Sequence, residues 1–417
     1  MSDSIPKVSR SLLGVLLLSM LVRAAVVVWQ FDELEVDRDN YLAIGHNLAE
    51  AFEFCSISGS PTAHRPPLYP WLIAACYLLG GTVAIGVVQI LLGTATVWLT
   101  SWLAHELGLG RRIQLIAAFI VAFDPLLVQY TSRAMTETLC VFLTTALLVA
   151  ITRLRGTASR TCIPACLRTG ALFGLVTLCR PGMWAFGFLA GFVWLIRLLS
   201  RSRKPELSAS SLPGNTESKC SEEASRPTTR TSMKRAAVFV AGVVVVVTPW
   251  TIRNCLVFGR PIVMTTHGGY TLLLGNNSEF YEEVVSRSDD SVWSFESLTR
   301  WQDSIRKQAD ASGIDWNDEV ARDRFLAGEA RLWMTDHPAE FAEACLLRLR
   351  RFWALRPATG RSSLGTTLVG MWYAGVFALA SAGAFCRWRL FCRNTEGPLL
   401  ILSLVLLHSV YWSNARM

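Results

Sequence analysis

The chain has 417 residues, of which 52% are apolar and only 17% are charged. Soluble chains carry roughly 25% charged residues, so this composition excludes an ordinary cytosolic enzyme. Nearly charge-free windows, such as residues 82–104 and 236–252, are long enough to cross or nearly cross a bilayer as helices. The sequence therefore predicts an all-α, polytopic membrane protein, and its net charge of +8 is interpreted by position rather than as a sign of nucleic-acid binding.

Basic connectors set the predicted topology, because Lys and Arg are enriched in cytoplasmic loops. The N-terminal segment and the connectors around Arg111, Arg153, Arg201 and Arg387 are basic, which places them on the cytoplasmic side. The apolar run 68–80 is too short to span, so we predict an interfacial or re-entrant helix on the external side. About nine transmembrane helices result, at approximately 11–30, 82–104, 113–131, 136–152, 167–180, 182–199, 236–252, 364–386 and 397–413.

This topology divides the chain into three regions. Residues 1–252 form a transmembrane catalytic module, with an external loop at 31–81 and a cytoplasmic stretch at 200–235. That stretch is rich in Ser, Thr, Pro and mixed charge, so it is predicted to be a flexible linker. Residues 253–363 form an external, mostly helical region that lies against the membrane, and residues 364–417 form the C-terminal transmembrane helices.

The external region carries three features that the sequence leaves open. Residues 337–356 mix apolar side chains with arginines such as Arg348, which suits either an anionic membrane interface or a helix that covers the bundle. Cys255 and Cys345 both fall in this region and could pair as a disulfide. The triplet that begins at Asn276 matches an acceptor site for N-glycosylation.

Acidic residues gather in the first external loop. Apolar residues recur at helical spacing from Tyr41 to Phe52 and predict an amphipathic helix. Asp39 suits the N-cap of that helix, whereas Asp37 has no such duty. A carboxylate at the mouth of a membrane groove can act as a general base or as a metal ligand, although for any single acid a solvated external charge is the alternative.

Other charged residues stand at predicted external ends of spans. Glu137 begins the fourth span, where either the helix dipole alone accounts for an acid or the acid faces Asp37 across a shared external cavity. Arg180 and Arg253 lie at the external ends of two further spans. Cations at this depth either bind a lipid phosphate or extend to the interface as ordinary anchoring arginines.

Several short motifs occur in order across almost the whole chain. They are Asp37-Arg-Asp-Asn-Tyr41, His64-Arg-Pro-Pro-Leu-Tyr-Pro70, Ala134-Met-Thr-Glu137, Leu178-Cys-Arg-Pro181, Pro249-Trp-Thr-Ile-Arg-Asn254 and Asp336-His-Pro338. This ordered set resembles the GT-C superfamily of membrane glycosyltransferases, in the group of the protein mannosyltransferases and aminoarabinose transferases. Such proteins usually continue beyond a motif like the one that starts at Trp412, so this chain is expected to be a truncated or minimal member.

The resemblance implies a GT-C fold with interfacial helices in the first external loop. It implies a transferase that moves a sugar from a polyprenyl-phosphate donor to a glycolipid, lipid A or protein on the external face, with inversion. Asp37 matches the family's catalytic carboxylate, and Glu137 matches an acid near the metal or acceptor site. Arg180, Arg253 and Arg65 are expected to bind the donor phosphate.

A divalent cation (Mg²⁺, Mn²⁺ or Zn²⁺) is the candidate cofactor, with Asp37, His64 and Glu137 as its ligands. Aminoarabinose transferases carry an acid where this chain has His64, which departs from their ligand set. The expected partners are the polyprenyl-phosphate sugar, a lipid or protein acceptor and membrane lipids, with no nucleic acid. The expected location is a bacterial inner (plasma) membrane, with the N-terminus in the cytoplasm.

Two alternatives come from other functional classes. A transporter or flippase of lipid-linked sugars would hold ionisable residues near the membrane midplane, and often shows repeated halves. The predicted spans are mostly uncharged in the middle, and Arg23 is the main exception. A non-catalytic assembly subunit would keep the fold and lose the base, whereas Asp37 and Glu137 are both present. The transferase is therefore the favoured function.

Overall fold

The fold is helical throughout the part of the chain that the computed structural model describes, and no β-strand forms there. The described residues are 8–156, 162–202, 229–287, 291, 293–356 and 364–411. Six helices in these ranges are long and apolar enough to cross a membrane: Arg10–Trp29, Leu68–Glu106, Glu137–Arg155, Pro181–Ser200, Thr229–Phe258 and Leu364–Cys386. An all-α integral membrane protein is thus confirmed, whereas the predicted count of nine spans is not.

The chain forms two compact units. Unit 1 comprises Met1–Gly59 and Pro66–Val263, and unit 2 comprises Ser60–Arg65 and Met264–Met417. The α-helices of unit 1 are α1 (Arg10–Trp29), α2 (Tyr41–Ala51), α3 (Leu68–Glu106), α4 (Arg111–Ala122), α5 (Pro125–Tyr130), α6 (Glu137–Gly156), α7 (Cys162–Cys179), α8 (Trp184–Ser202) and α9 (Thr229–Phe258). Short 3₁₀ turns occupy Phe31–Leu34 and Pro181–Met183.

Unit 2 is built around an aromatic core that includes Phe280, Tyr281, Trp293 and Trp301. Burial of such large rings makes a large contribution to the packing of this unit. Its helices are α10 (Gly268–Leu274), α11 (Phe295–Ala311), α12 (Glu319–Asp336), α13 (Pro338–Phe352), α14 (Leu364–Cys386), α15 (Trp388–Arg393) and α16 (Glu396–Val410), with short helical turns at Ser278–Phe280 and Tyr281–Val285.

A glycine pair breaks α3 between the helix predicted at 68–80 and the span predicted at 82–104. The backbone leaves the helical region at Gly80 (φ 164°) and at Gly81 (φ 64°, ψ −142°). Glycine adopts the Gly81 backbone conformation without strain, whereas a residue with a Cβ atom would be strained there. Residues 68–79 therefore form a helical segment separate from the apolar segment that follows, and its interfacial placement stays a prediction.

The predicted span 113–131 is divided, so the prediction of one continuous helix was wrong. Helix α4 ends at Ala122, and the side chain of Asp124 accepts a hydrogen bond from the Leu127 nitrogen at 2.9 Å. Pro125 follows as the first residue of α5. An Asp cap followed by Pro at the first helical position is a helix-start signal, which explains the break inside an apolar stretch.

Arg23, the main charge inside a predicted span, caps another helix. It is 1% exposed, and its guanidinium donates to the Ala122 and Val121 carbonyls at 2.9 and 3.1 Å. These are terminal carbonyls of α4, which have no intrahelical donor of their own. A Cβ atom at Gly93 would lie 2.4 Å from the Arg23 Nε, so the missing side chain makes room. The intramembrane cation is therefore a structural element of unit 1.

Glycines also bring α7 and α9 close together. A Cβ atom at Gly170 would lie 1.9 Å from the Phe239 carbonyl oxygen, and one at Gly242 would lie 2.2 Å from that of Leu167. Small residues allow this backbone approach between membrane helices.

The predicted linker 200–235 is only partly described. Residues 203–228 lie outside the described ranges. Residues 200–202 end α8, and residues 229–235 begin α9, so the prediction of a linker there was wrong. The same helix continues to Phe258 through an apolar stretch.

An arginine of α13 forms a buried junction, which bears on the environment of residues 337–356 and on the glycosylation triplet at Asn276. Arg348 is 2% exposed and donates to the Ser409 carbonyl at 3.0 Å, the Asn276 Oδ1 at 3.1 Å and the Gly275 carbonyl. The Asn276 amide donates in turn to the Val410 carbonyl at 3.1 Å. We name these five residues the Arg348 junction. Arg348 thus packs inside unit 2, and Asn276 is buried rather than accessible for glycosylation.

The possible disulfide is not formed. Cys255, in unit 1, and Cys345, in unit 2, both carry free thiols.

Candidate functional site

Asp37 caps the N-terminus of α2. Its Oδ1 accepts a hydrogen bond from the Leu42 nitrogen at 3.2 Å, and its Oδ2 accepts one from the Ala43 nitrogen at 2.9 Å. The prediction that Asp39 makes this cap and that Asp37 has no such duty was wrong. The chain turns at Asn40, which has a left-handed φ of 61°, and this turn brings the more distant acid to the helix end. Each oxygen of Asp37 keeps a second lone pair, because a carboxylate oxygen has two.

Glu137 and Arg180 form an ion pair, although the sequence suggested separate roles for them. The Arg180 Nη1 lies 3.5 Å from the Glu137 Oε1, and the two side chains are 29% and 13% exposed. Glu137 begins α6, and Arg180 directly follows α7. Among the described residues, the Glu137 Oε2 has no hydrogen-bond partner. The pair therefore combines a held cation with one carboxylate oxygen that can accept a further donor.

Arg253 supports a loop. Its Nη2 donates to the Phe54 carbonyl at 2.8 Å, and its Nη1 donates to the Asn254 Oδ1 at 2.9 Å. The guanidinium also lies over the rings of Phe54, Trp250 and Phe258, at 5.2 to 5.6 Å from their centroids. Both terminal nitrogens of the Arg253 guanidinium are thus hydrogen-bonded within unit 1.

His64 and Arg65 belong to a segment of unit 2 that Glu319 holds. The Glu319 Oε2 accepts hydrogen bonds from the Ala63 nitrogen and the Thr266 hydroxyl, both at 2.9 Å, and the Oε1 accepts from the Thr62 hydroxyl. The Thr266 nitrogen also donates to the Ala63 carbonyl at 3.0 Å. Sequence reasoning missed Glu319, because its partners come from distant parts of the chain.

His64 meets a second histidine that sequence reasoning also missed. Its ring centroid lies 4.2 Å from that of His267, with the planes at 68°. Burial, together with the charges of Arg65 and Arg322, lowers the pKa of His64 to about 3. Burial, followed by the effects of His64 and the same arginines, lowers the pKa of His267 well below its ordinary value. Both imidazoles are therefore neutral, and within the described part of the chain neither Nδ1 has a partner.

The predicted metal ligands are divided between the two units. Asp37 and Glu137 belong to unit 1, and His64 belongs to unit 2. Over the described ranges, no group of three or more His, Cys, Asp or Glu side chains could hold a metal ion. A neutral imidazole nitrogen is a common metal ligand, so His64 fits a cation singly, and the set of three stays a prediction.

The comparison with protein families bears on the segment that holds the ion pair. Residues 64–212 match the family model described as dolichyl-phosphate-mannose-protein mannosyltransferase. The predicted resemblance is confirmed. The matched segment contains His64, Glu137 and Arg180, whereas Asp37 precedes it.

One similar solved structure is the oligosaccharyltransferase of Archaeoglobus fulgidus, tethered with an acceptor peptide that contains the NVT sequon. Its sequence identity to this chain is 15%, and the TM-score is 0.35. The match covers 96% of this chain but 55% of that chain, so this chain spans about half the length of that enzyme. No curated protein sequence matches the chain. With so low a TM-score, the function has to be inferred from the family match and from the chain's own residues.

Proposed function

We propose that the chain is a GT-C glycosyltransferase that moves a sugar from a polyprenyl-phosphate donor to an acceptor on the external face of the membrane. The acceptor is a glycolipid, lipid A or a protein. The observation that carries this proposal is the Glu137–Arg180 ion pair, which lies inside the segment that matches the mannosyltransferase family. The apolar helices suit a donor whose long isoprenoid chain lies in the bilayer, and we place the protein in a bacterial plasma membrane with its N-terminus in the cytoplasm.

The proposed reaction is a single displacement at the anomeric carbon of the sugar. The acceptor hydroxyl oxygen forms the new bond while the bond to the lipid phosphate breaks, through a state that resembles an oxocarbenium ion. Asp37 takes the proton of the acceptor hydroxyl as a general base. The two backbone donors at Leu42 and Ala43 fix the direction of its carboxylate. Attack opposite to the leaving phosphate inverts the anomeric centre.

The leaving phosphate gains negative charge, and in this proposal Arg180 stabilises it. A guanidinium can donate two parallel hydrogen bonds to phosphate oxygens. Glu137 orients Arg180 through its Oε1 and offers the other oxygen to a hydroxyl of the sugar or the acceptor. Arg65 is the second candidate for the phosphate. Arg253 was expected to bind it as well, but its contacts lead us to assign it the support of the Phe54 loop.

No step is assigned to a divalent cation, because no group of three or more His, Cys, Asp or Glu side chains among the described residues could hold one. A cation held by His64 stays a separate proposal. When bound, a divalent cation would supply charge to the leaving phosphate.

The test is a transfer assay with the purified full-length chain in lipid nanodiscs. Radiolabelled polyprenyl-phosphate sugars are supplied one at a time, with total membrane lipid and total membrane protein as acceptors, and with or without a chelator. We expect transfer from at least one lipid-linked donor and none from the matching nucleotide sugars. Loss of transfer in the presence of the chelator would show that the reaction needs a divalent cation, whichever residues act as base and phosphate ligand.

The outcome that would overturn the proposal is no transfer from any lipid-linked donor. In that case, proteoliposomes separate the two alternatives. A labelled lipid-linked sugar that crosses the bilayer without being transferred would identify a flippase, and the absence of both activities would leave an assembly subunit.

A further inference from the structure

A buried amide in a membrane span links two elements of unit 1. Gln89 lies in the apolar segment of α3 that follows the Gly81 break, and it is 2% exposed. Its Nε2 donates to the Tyr69 hydroxyl at 3.3 Å and to the Arg133 carbonyl at 2.6 Å. An amide nitrogen carries two hydrogens, so one side chain makes both bonds. Polar side chains in spans are costly to bury, and they mark functional or assembly contacts.

Through Tyr69, Gln89 is connected to the start of α2, which holds Asp37. Tyr69 is fully buried in the first segment of α3, and its ring meets that of Tyr41 edge to face, with centroids 5.3 Å apart. Tyr41 is the first residue of α2. The next two residues of that helix, Leu42 and Ala43, donate the hydrogen bonds that hold Asp37. Gln89 therefore fixes a ring against which the start of α2 packs.

Through the Arg133 carbonyl, Gln89 is connected to the turn that precedes Glu137. The Arg133 carbonyl also accepts a hydrogen bond from the Met135 nitrogen at 2.8 Å, within the turn that precedes α6. The Thr136 carbonyl then accepts from the Cys140 nitrogen at 2.8 Å, which is the first bond of that helix. Glu137 is the first residue of α6. Gln89 therefore fixes the turn that sets the position of Glu137.

We propose that Gln89 is a positioning residue for the transfer reaction, because its amide holds the elements that carry Asp37 and Glu137 in one arrangement. This inference rests on the proposed function. A base and a phosphate-binding pair act together only when their geometry is held, and a shift of about 1 Å caused by a remote substitution can lower a rate about a hundredfold. The competing explanation is that Gln89 only stabilises the fold.

The test compares three substitutions in the full-length protein. Gln89→Met keeps the length of the side chain and removes both donors, and Tyr69→Phe removes one acceptor. Thr96→Val is the matched control, because Thr96 is a buried polar residue of the same helix whose hydroxyl donates to the Leu92 carbonyl one turn away. The measurements are transfer kinetics and the hydrogen–deuterium exchange of residues 131–136.

We expect Gln89→Met to lower kcat by about tenfold or more while KM for the donor changes little, since the rate depends on the alignment of the reacting groups. Exchange of residues 131–136 should become faster in this variant. Tyr69→Phe should lower kcat less than Gln89→Met does. The kcat of the double variant should be no lower than that of Gln89→Met. Thr96→Val should match the wild type in both measurements.

Two results would overturn the inference. One is a wild-type kcat in Gln89→Met, and the other is an equal loss of kcat in Thr96→Val. If the wild type transfers no sugar, the proposed function fails separately, and the exchange measurement alone decides the linking role. Unchanged exchange in Gln89→Met would then reject that role, and faster exchange in Gln89→Met but not in Thr96→Val would support it.

Discussion

Unit 1 and unit 2 each contain an arginine with defined partners: Arg180 is 29% exposed, Arg348 is 2% exposed, and the partners differ in kind. Arg180 in unit 1 faces the carboxylate of Glu137, whose second oxygen has no partner among the described residues. Arg348 in unit 2 donates to backbone carbonyls and to the Asn276 side chain, and two of its acceptors are the terminal carbonyls of α16. The kind of partner and the exposed fraction therefore both separate a cation suited to binding from one that caps a helix.

The largest expected effect is on activity, from the loss of Arg180. Arg180→Gln should lower kcat/KM by roughly 10²–10³, the usual cost of removing a donor that stabilises charge in a transition state. Arg180→Lys should lower kcat/KM by a smaller factor, because lysine keeps the positive charge although it lacks the two parallel donors. The transfer assay with a fixed acceptor measures both variants, and full activity in Arg180→Gln would remove this residue from the mechanism.

The next effect is on stability, from the loss of Arg348. Arg348→Met should lower the free energy of unfolding by roughly 2–4 kcal/mol, because buried carbonyls left without a donor each cost about 1–3 kcal/mol. Arg350→Met is the control, since Arg350 is an exposed residue of the same helix. Thermal unfolding in detergent measures the difference. Equal stability of the two variants would show that the Arg348 junction is not structural.

A third effect concerns the pH dependence of stability, through His64. Its pKa falls from 6.5 to about 3 on folding, so between these values the unfolded chain binds a proton that the folded chain does not. The stability of the wild type should therefore fall as the pH is lowered from about 6.5 towards 3. His64→Gln lacks this group and should show a shallower fall. Unfolding temperatures from pH 7 to pH 4 test this, and parallel slopes would contradict it.

Much of the architecture could be predicted because it is encoded locally. Apolar windows predict most of the long helices, and the Gly80-Gly81 pair marks the break in α3. The division after Ala122 was missed, because the apolar pattern outweighed the Asp-Pro start signal. Glu137 and Arg180 were proposed singly from their places at helix ends, and only the fold shows that they pair.

Other features depend on tertiary structure and leave no local signal. The cap made by Asp37 depends on the left-handed turn at Asn40, which a preference for the nearest acid does not reveal. The contact of His64 with His267 joins residues far apart in the chain. The direction in which Arg348 points was also open, since an amphipathic helix has the same composition whether it meets a membrane or a protein core.

The central claim is that the Asp37 carboxylate takes the proton of the acceptor. The most direct measurement compares the transfer rates of Asp37→Asn and Asp39→Asn with that of the wild type. Asparagine keeps one of the two acceptor oxygens and is still a good helix cap, so Asp37→Asn should fold, and its rate should fall by about 10²–10⁴ through loss of the base. Asp39→Asn should stay close to the wild type. Full activity in Asp37→Asn, or a loss confined to Asp39→Asn, would contradict the claim.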